Sequence, residues 1–343
     1  VYTVREGKSG NENTLQKSLP TRNLGLAGRF TYGFSDRYFA EFNFGYNGSE
    51  RFDKSHRWGF FPSFSAGYDI ARTKYFADLN MPVSQFKVRV SYGRLGNQNG
   101  AGLYDYLGVM SLDPNNVNAW LLPGGGDVIG KGTISLTPKM ISPYITWEKV
   151  DTANFGLDLM LLKDRLSVTF DVYQRTTKDM IGPAEAIPDI GGIAVDQRAK
   201  VNNATLRNRG WELSVNWSDQ LKNGFSYGIG FNIFDYKAVV TKYNNPEGLI
   251  YNNHTGLVRN KGYYQGMDLG EIWGYEANDL FLTNQEVDEY LKGVDMSFFK
   301  PNKDWQRGDL KYIDSNGDGK IDPGSGTLKD HGDLKIIGNT TPR

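Results

Sequence analysis

Apolar and polar residues alternate one for one along much of the chain, the spacing of a β-strand with two unlike faces. In RYFAEFNFGYN, Tyr38, Ala40, Phe42, Phe44 and Tyr46 share one face, while Glu41, Asn43 and Gly45 share the other. FKVRVSYGR sets Phe86, Val88, Val90 and Tyr92 against Lys87, Arg89, Ser91 and Gly93. NFGLDLMLL and LSVTFDVYQ do the same with Phe155, Leu157, Leu159 and Leu161, then with Leu166, Val168, Phe170 and Val172. WELSVNW alternates from Trp211 to Trp217, and FSYGIGFNIF from Phe225 to Ile233. Weaker alternation predicts strands over Leu24–Phe34 and Phe60–Ile70. The total is about eight strands, several of about ten residues.

A two-sheet sandwich buries its apolar faces against each other with strands of about five or six residues. Strands of about ten, with one continuous apolar face, suit the wall of a lipid-facing barrel. The connections favour the barrel as well. They alternate between short (Ser35–Arg37, Lys163–Asp164, Ser218–Gly224) and long (Asn47–Gly59, Leu95–Val150, Arg175–Asn208). An up-and-down barrel with turns on one side of the membrane and loops on the other has this rhythm. The expected fold is therefore all-β, a transmembrane antiparallel up-and-down barrel. Residues 1–23 read as an extracellular loop segment, 24–236 as barrel strands with loops, and 237–343 as a long extracellular loop region. Within that last region TNQEVDEYLKG predicts one short helix, capped by Thr283 and Glu286 and ended by Gly293.

Composition narrows the classes. Zero net charge over 343 residues gives no electrostatic reason to expect a nucleic-acid partner. The absence of cysteine excludes disulfides, thiol nucleophiles and thiolate metal sites. Hydrophobic residues reach only 39% while aromatics reach 13%, a chain rich in rings and poor in aliphatic core. No apolar run approaches the ~18 residues of a spanning helix. The three histidines, His56, His254 and His331, lack metal-type spacing. GKGT at Gly130 lacks the remainder of a phosphate-binding loop.

Several strings occur together in one order: RWGFFPSFSAGYDIA, KVRVSYGRLGNQNG, ITWEKVDTANFGLDLMLLKDRLSVTFDVYQRTTKDM, VNNATLRNRGWELSVNW and GDLKYIDSNGDGKID with LKIIGNTTPR. They resemble the SusC/RagA family of TonB-dependent outer-membrane transporters of the Bacteroidetes. The resemblance implies an arc of a larger, 22-stranded barrel in the outer membrane. It further implies import of an oligosaccharide or peptide beneath a SusD-like lipoprotein lid. Energy would come from TonB, through an N-terminal part that this chain lacks. A passive porin or structural wall protein is the alternative, and a soluble secreted glycan-binding β-protein a more distant one.

SNGDGKID supplies candidate chemistry. Calcium loops place oxygens at positions 1, 3, 5, 7 and 9, glycine at 6 and a bidentate carboxylate at 12. Asp314, Asn316, Asp318, the carbonyl of Lys320, Asp322 and Gly319 fill the first nine places, but position 12 is Ser325. Against the family pattern, Asp333 would supply the missing carboxylate, with Asp330 the alternative. The expected cofactor is a structural Ca2+; a bare loop of Asx turns is the plainer reading. Tyr38, Tyr46, Trp211 and Trp217 read as an interfacial girdle against outer-membrane lipid. Loop aromatics Tyr104, Tyr106, Trp120, Tyr251, Tyr263 and Tyr264 are candidate ligand contacts. The charges Lys87, Arg89, Asp158, Asp171 and Glu212 belong to a wet inner wall rather than to the paired carboxylates of a glycosidase, so no enzyme is expected.

Overall fold

The computed structural model describes residues 2–7, 19–77, 82–108, 112–113, 121–123, 129–131, 134–135, 140–182, 198–245, 248, 250, 263–300 and 304–341. Nine strands form one sheet in chain order: β1 (Tyr2–Gly7), β2 (Thr21–Phe34), β3 (Tyr38–Ser49), β4 (Trp58–Asp69), β5 (Val83–Asn97), β6 (Glu148–Leu161), β7 (Leu166–Gly182), β8 (Val201–Gln220) and β9 (Ser226–Lys242). The ladders from β1 to β7 are antiparallel. The sheet is open, with β1 and β9 as its edges. Because neighbours run in opposite directions, the tight turns fall along one edge of the wall and the long excursions along the other. No helix among the described residues is long and apolar enough to cross a membrane, which says nothing about strands.

Register turns the alternation of each strand into two coherent surfaces. One row runs Phe30, Phe42, Phe64, Tyr92 and Ala153 across five strands. Two rows on, another runs Phe34, Tyr38, Tyr68, Val88, Leu157 and Phe170. These rings stand exposed, Phe30 at 66% and Phe64 at 52%, as a lipid-facing surface requires. Two other rings of this face lie over cross-strand glycines: Phe44 covers Gly28, and Trp58 covers Gly48. A methyl group at Gly28 would sit 2.4 Å from the Phe44 ring, so the glycine makes room for that cover. The opposite face carries Thr31, Glu41, Ser65, Ser91 and Asn154 in one row and Gly33, Phe39, Gly67, Arg89, Gly156 and Asp171 in the next.

Two expectations about boundaries change. Residues 1–23 were expected as a loop, but Tyr2–Gly7 pairs with Thr21–Leu26 as a ninth strand. The loop expected over Arg175–Asn208 is narrower, since β7 continues to Gly182 and β8 begins at Val201. The alternation signal stops where the outward residues turn polar, while the backbone pairing does not.

The chain divides into a unit of residues 1–205 and 209–236 and a second of 206–208 and 237–343. In the first, Phe52, Phe61, Ala101, Ile145 and Trp147 form a buried cluster. The second is folded rather than a bare loop. It holds two ribbons, β10 (Glu271–Tyr275) with β13 (Leu334–Asn339) and β11 (Ala277–Leu280) with β12 (Leu310–Tyr312), together with helix α1 (Asn284–Tyr290). The predicted cap is present: Thr283 Oγ1 accepts from Glu286 N at 3.1 Å, and Glu286 accepts from Leu282 N at 3.0 Å. Two apolar clusters hold this unit, one around Ile250, Met267, Trp273 and Leu334, the other around Phe281, Val287, Met296 and Ile321.

Candidate functional site

The polar face of the sheet is a network of opposed charges. Arg89 donates to Asp158 at 2.7 and 3.0 Å and to Asp171 at 3.0 and 3.2 Å. Asn154 adds a donor to Asp171 at 2.8 Å. Arg29 meets Glu41 at 2.5 Å, and Asn43 reaches the same carboxylate at 2.7 Å. Lys87 takes a different path. Register places it between Asp69 and Asp158. Those carboxylates serve Ala71 N, Phe86 N and Arg89, and the ammonium instead lies 4.6 Å from the centroid of the Phe39 ring. A shallow cavity of about 450 Å³ opens here, lined by Gly33, Phe39, Glu41, Gly67, Lys87 and Asn154 among others. The expected wet inner wall is therefore present, with Arg29 and Arg89 bonded to its carboxylates and Lys87 set over a ring. Glu212 is exposed on β8 and joins none of these pairs.

At the loop edge of the same unit, Phe61 packs edge-on against Trp147 at 5.3 Å, and Trp147 donates to the carbonyl of Arg57 at 3.0 Å. The Phe61 ring fills the space beside Gly59 and Gly96, where an added methyl would come within 2.3 and 2.1 Å. Tyr104 is buried, and its hydroxyl donates to the carbonyl of Pro20 and to Glu50. Burial, and then that bond to Glu50, push its hydroxyl up to about 12. Tyr106 packs beside it at 6.0 Å. In the second unit Tyr264 is buried with its hydroxyl on Glu271, while Tyr263 is exposed and meets Tyr243 edge-on at 5.5 Å. Burial and then Glu271 raise Tyr264 as well. Trp120 and Tyr251 lie outside the described residues.

The acidic loop is a closed construction. Asp314 accepts from Gly317 N at 2.6 Å and Gly319 N at 2.9 Å; Asn316 accepts from Asp318 N, Asp318 from Lys320 N and Asp322 from Gly324 N. Gly317 and Gly319 sit at φ of +77° and +80°, where a side chain would be strained. Ile321 is fully buried, and Lys320 bridges to Asp295 in parallel. Of the two carboxylates considered for the twelfth place, Asp333 reaches the loop. It is 1% exposed and accepts from Ser315 N at 2.6 Å and Asp322 N at 3.0 Å. Asp330 turns instead to Ser325 N at 2.9 Å, and its carboxyl is held low by the Ser325 hydroxyl and N–H. Among the described residues no three His, Asp or Glu groups converge to hold a metal, because these oxygens face the loop's own N–H groups.

With this wall and rim in place, a family model described as TonB dependent receptor-like, beta-barrel, matches residues 3–332. The chain belongs to that family. It is 28% identical over 311 residues to the TonB-dependent receptor SusC of Bacteroides thetaiotaomicron, a match covering 90% of this chain and 28% of that protein. A TonB-dependent receptor of Formosa agariphila is 27% identical over 373 residues, covering 99% of this chain and 32% of its own length. Among solved structures, the RagAB peptide importer in its closed-closed state superposes with a TM-score of 0.61 at 20% identity, over 94% of this chain and 30% of that one. This chain thus spans under a third of these relatives. As a TonB-dependent receptor wall it is an outer-membrane β-barrel segment, with its ringed face toward lipid and its charged face toward the lumen.

Proposed function

We propose that this chain forms part of the wall and extracellular rim of an energised importer. The cargo is an oligomeric nutrient, an oligosaccharide or a peptide, received beneath a SusD-like lipoprotein lid and drawn inward with TonB. The family match over residues 3–332 carries the reading. The inner wall supports it: Arg29–Glu41 and Arg89–Asp158–Asp171 offer fixed polar groups with little net field. A polar oligomer then exchanges water for wall contacts, and neither sign of ion is strongly held. The test is uptake of labelled oligosaccharides and peptides by cells carrying or lacking the full gene, with and without an intact energising complex. Loss of uptake on gene deletion and on de-energising is expected. Uptake that persists without energy would replace this reading with a passive porin.

We also propose that the acidic loop holds a structural Ca2+ through Asp314, Asn316, Asp318, the Lys320 carbonyl, Asp322 and Asp333. The donor set matches in kind; holding the ion would require these oxygens to turn from the loop's own N–H groups, Asp333 from Ser315 N and Asp322 N among them. When bound, the ion would stiffen the loop. Chelator should raise protease cleavage between Tyr312 and Ile337; unchanged cleavage leaves a metal-free turn.

A further inference from the structure

The outward face changes character toward the loop edge. On β6 the outward residues from the turn upward are Leu161, Leu159, Leu157, Phe155 and Ala153, followed by Asp151 and Lys149. From Leu161 to Asp151 is ten residues; at ~3.4 Å per residue and a tilt of ~40°, that is a rise of about 26 Å. The apolar band of such barrels is ~25 Å tall, so Asp151 stands at the level where headgroups begin. Tyr92, the last outward ring of β5, is 49% exposed immediately below this level.

Cations gather at this level on four successive strands. Arg94 grips Asp151 with bonds of 2.6 and 3.0 Å, and Lys178 reaches the same carboxylate at 3.0 Å. Lys149 meets Asp179 at 2.9 Å. Arg209 of β8 is exposed, and its Nε donates to Gln174 at 2.6 Å, which fixes it on the same face one row below. No carboxylate pairs with Arg209 among the described residues. Four cations thus face two carboxylates, an excess of two positive charges on a surface that otherwise touches lipid. The inner wall of the same strands carries no such excess of cations: Lys87 and Arg89 stand there with Asp158, Asp171 and Glu212.

We propose that the outward, loop-edge face of β5–β8 is a docking site for the phosphate headgroup of an anionic lipid of the outer leaflet. The geometry suits that occupant. Tyr92 and Phe155 flank acyl chain, Arg209 presents its donors at the Tyr92 row, and Arg94, Lys149 and Lys178 present theirs one to two rows above Tyr92. Asp151 and Asp179 hold the basic side chains in place and prevent them from folding back over the apolar rows.

The test uses the full-length protein purified in detergent and native mass spectrometry with short-chain phosphatidylglycerol or phosphatidylcholine as probes. The wild type should retain phosphatidylglycerol preferentially, and inorganic phosphate should not displace it. Arg209→Gln with Lys178→Gln should lower the preference, by roughly five-fold for each cation removed. Arg209→Lys with Lys178→Arg should keep it, and Lys163→Gln at the short-turn edge should leave it unchanged. Folding is checked by heat-modifiable gel mobility. Should the double variant lose that mobility, Arg209→Gln alone, which gives up only a bond to Gln174, carries the test. Equal retention of both lipids by the wild type, displacement by inorganic phosphate alone, or an unchanged preference in a folded variant would overturn the assignment.

Discussion

Asp333→Ala isolates the contribution of one carboxylate to the second unit. The side chain is 1% exposed and accepts from Ser315 N at 2.6 Å and Asp322 N at 3.0 Å, closing the loop across eighteen residues at one end and eleven at the other. Hydrogen bonds to a charged acceptor contribute about 1.5–3 kcal/mol each, and removing this one leaves two part-buried N–H groups without their partner. A loss of about 3–5 kcal/mol against local opening follows, since the two bonds share one side chain and do not add fully. At ~1.4 kcal/mol per factor of ten, the open population rises roughly a hundred- to a few-thousand-fold. Native-state proteolysis of the full chain reads this directly when reclosing outruns cleavage. New cuts are expected between Tyr312 and Ile337, with Asp333→Asn intermediate because it keeps one acceptor oxygen. Asp330→Ala serves as comparison, its carboxylate being exposed and tied to Ser325 and the Gly332 N–H rather than to Ser315 and Asp322. If Asp333→Ala cleaves no faster than Asp330→Ala, the closing role given to Asp333 is wrong.

Other outcomes follow from the same contacts. Arg89→Met leaves Asp158 and Asp171 facing each other across the inner wall; because all three are partly exposed, a loss of roughly 1–3 kcal/mol is expected, read as a lower temperature for the gel-mobility transition. A transition unmoved by the change would show the triad to be solvent-screened. Gly96→Ala forces the Phe61 ring away from a position 2.1 Å from the new methyl, at a cost of about 1–3 kcal/mol, and should speed hydrogen exchange over Ile145–Trp147. Exchange at the wild-type rate would mean that the ring relocates freely. Lys300 at 2.7 Å and the Gln306 N–H hold Asp309 below its usual 3.8. The folded carboxyl titrates below the unfolded one, so its contribution is complete above that value and fades as pH falls through the folded one. Protease resistance of residues 263–341 should therefore drop as pH falls below about 4. Resistance that is flat over this range would count against the ion pair.

The wall was readable in the sequence because lipid outside and water inside impose a strict period of two, and Phe86–Tyr92 or Phe155–Leu161 satisfy it without interruption. Strand length was less readable. Arg175–Gly182 and Val201–Asn208 stay paired above the apolar band, where both faces are polar and alternation carries no signal. Tyr2–Gly7 was missed for a similar reason, since TVRE has no clean apolar row. The acidic loop was legible from spacing alone up to Asp322; only the fold distinguishes Asp333 from Asp330, because the glycines at 324, 326 and 332 turn the chain back through positive φ. The folded character of residues 263–341 was hidden, since its clusters draw on Phe281, Val287, Met296 and Ile321, which share no single periodicity. Arg94 and Arg209 were not singled out because each extends an apolar row of β5 or β8 one place past its last apolar member.

Along one stretch of the sheet, rings outside and glycines inside make a tapered brick of each strand pair. Gly33, Gly67 and Gly156 line the inner face, while Phe34, Tyr68 and Leu157 broaden the outer one. A course of such bricks rises as an arch whose curvature is set locally, before any ring closes. Widening the narrow ends, for instance with valine at these three glycines, would straighten the masonry and spoil the circle from within.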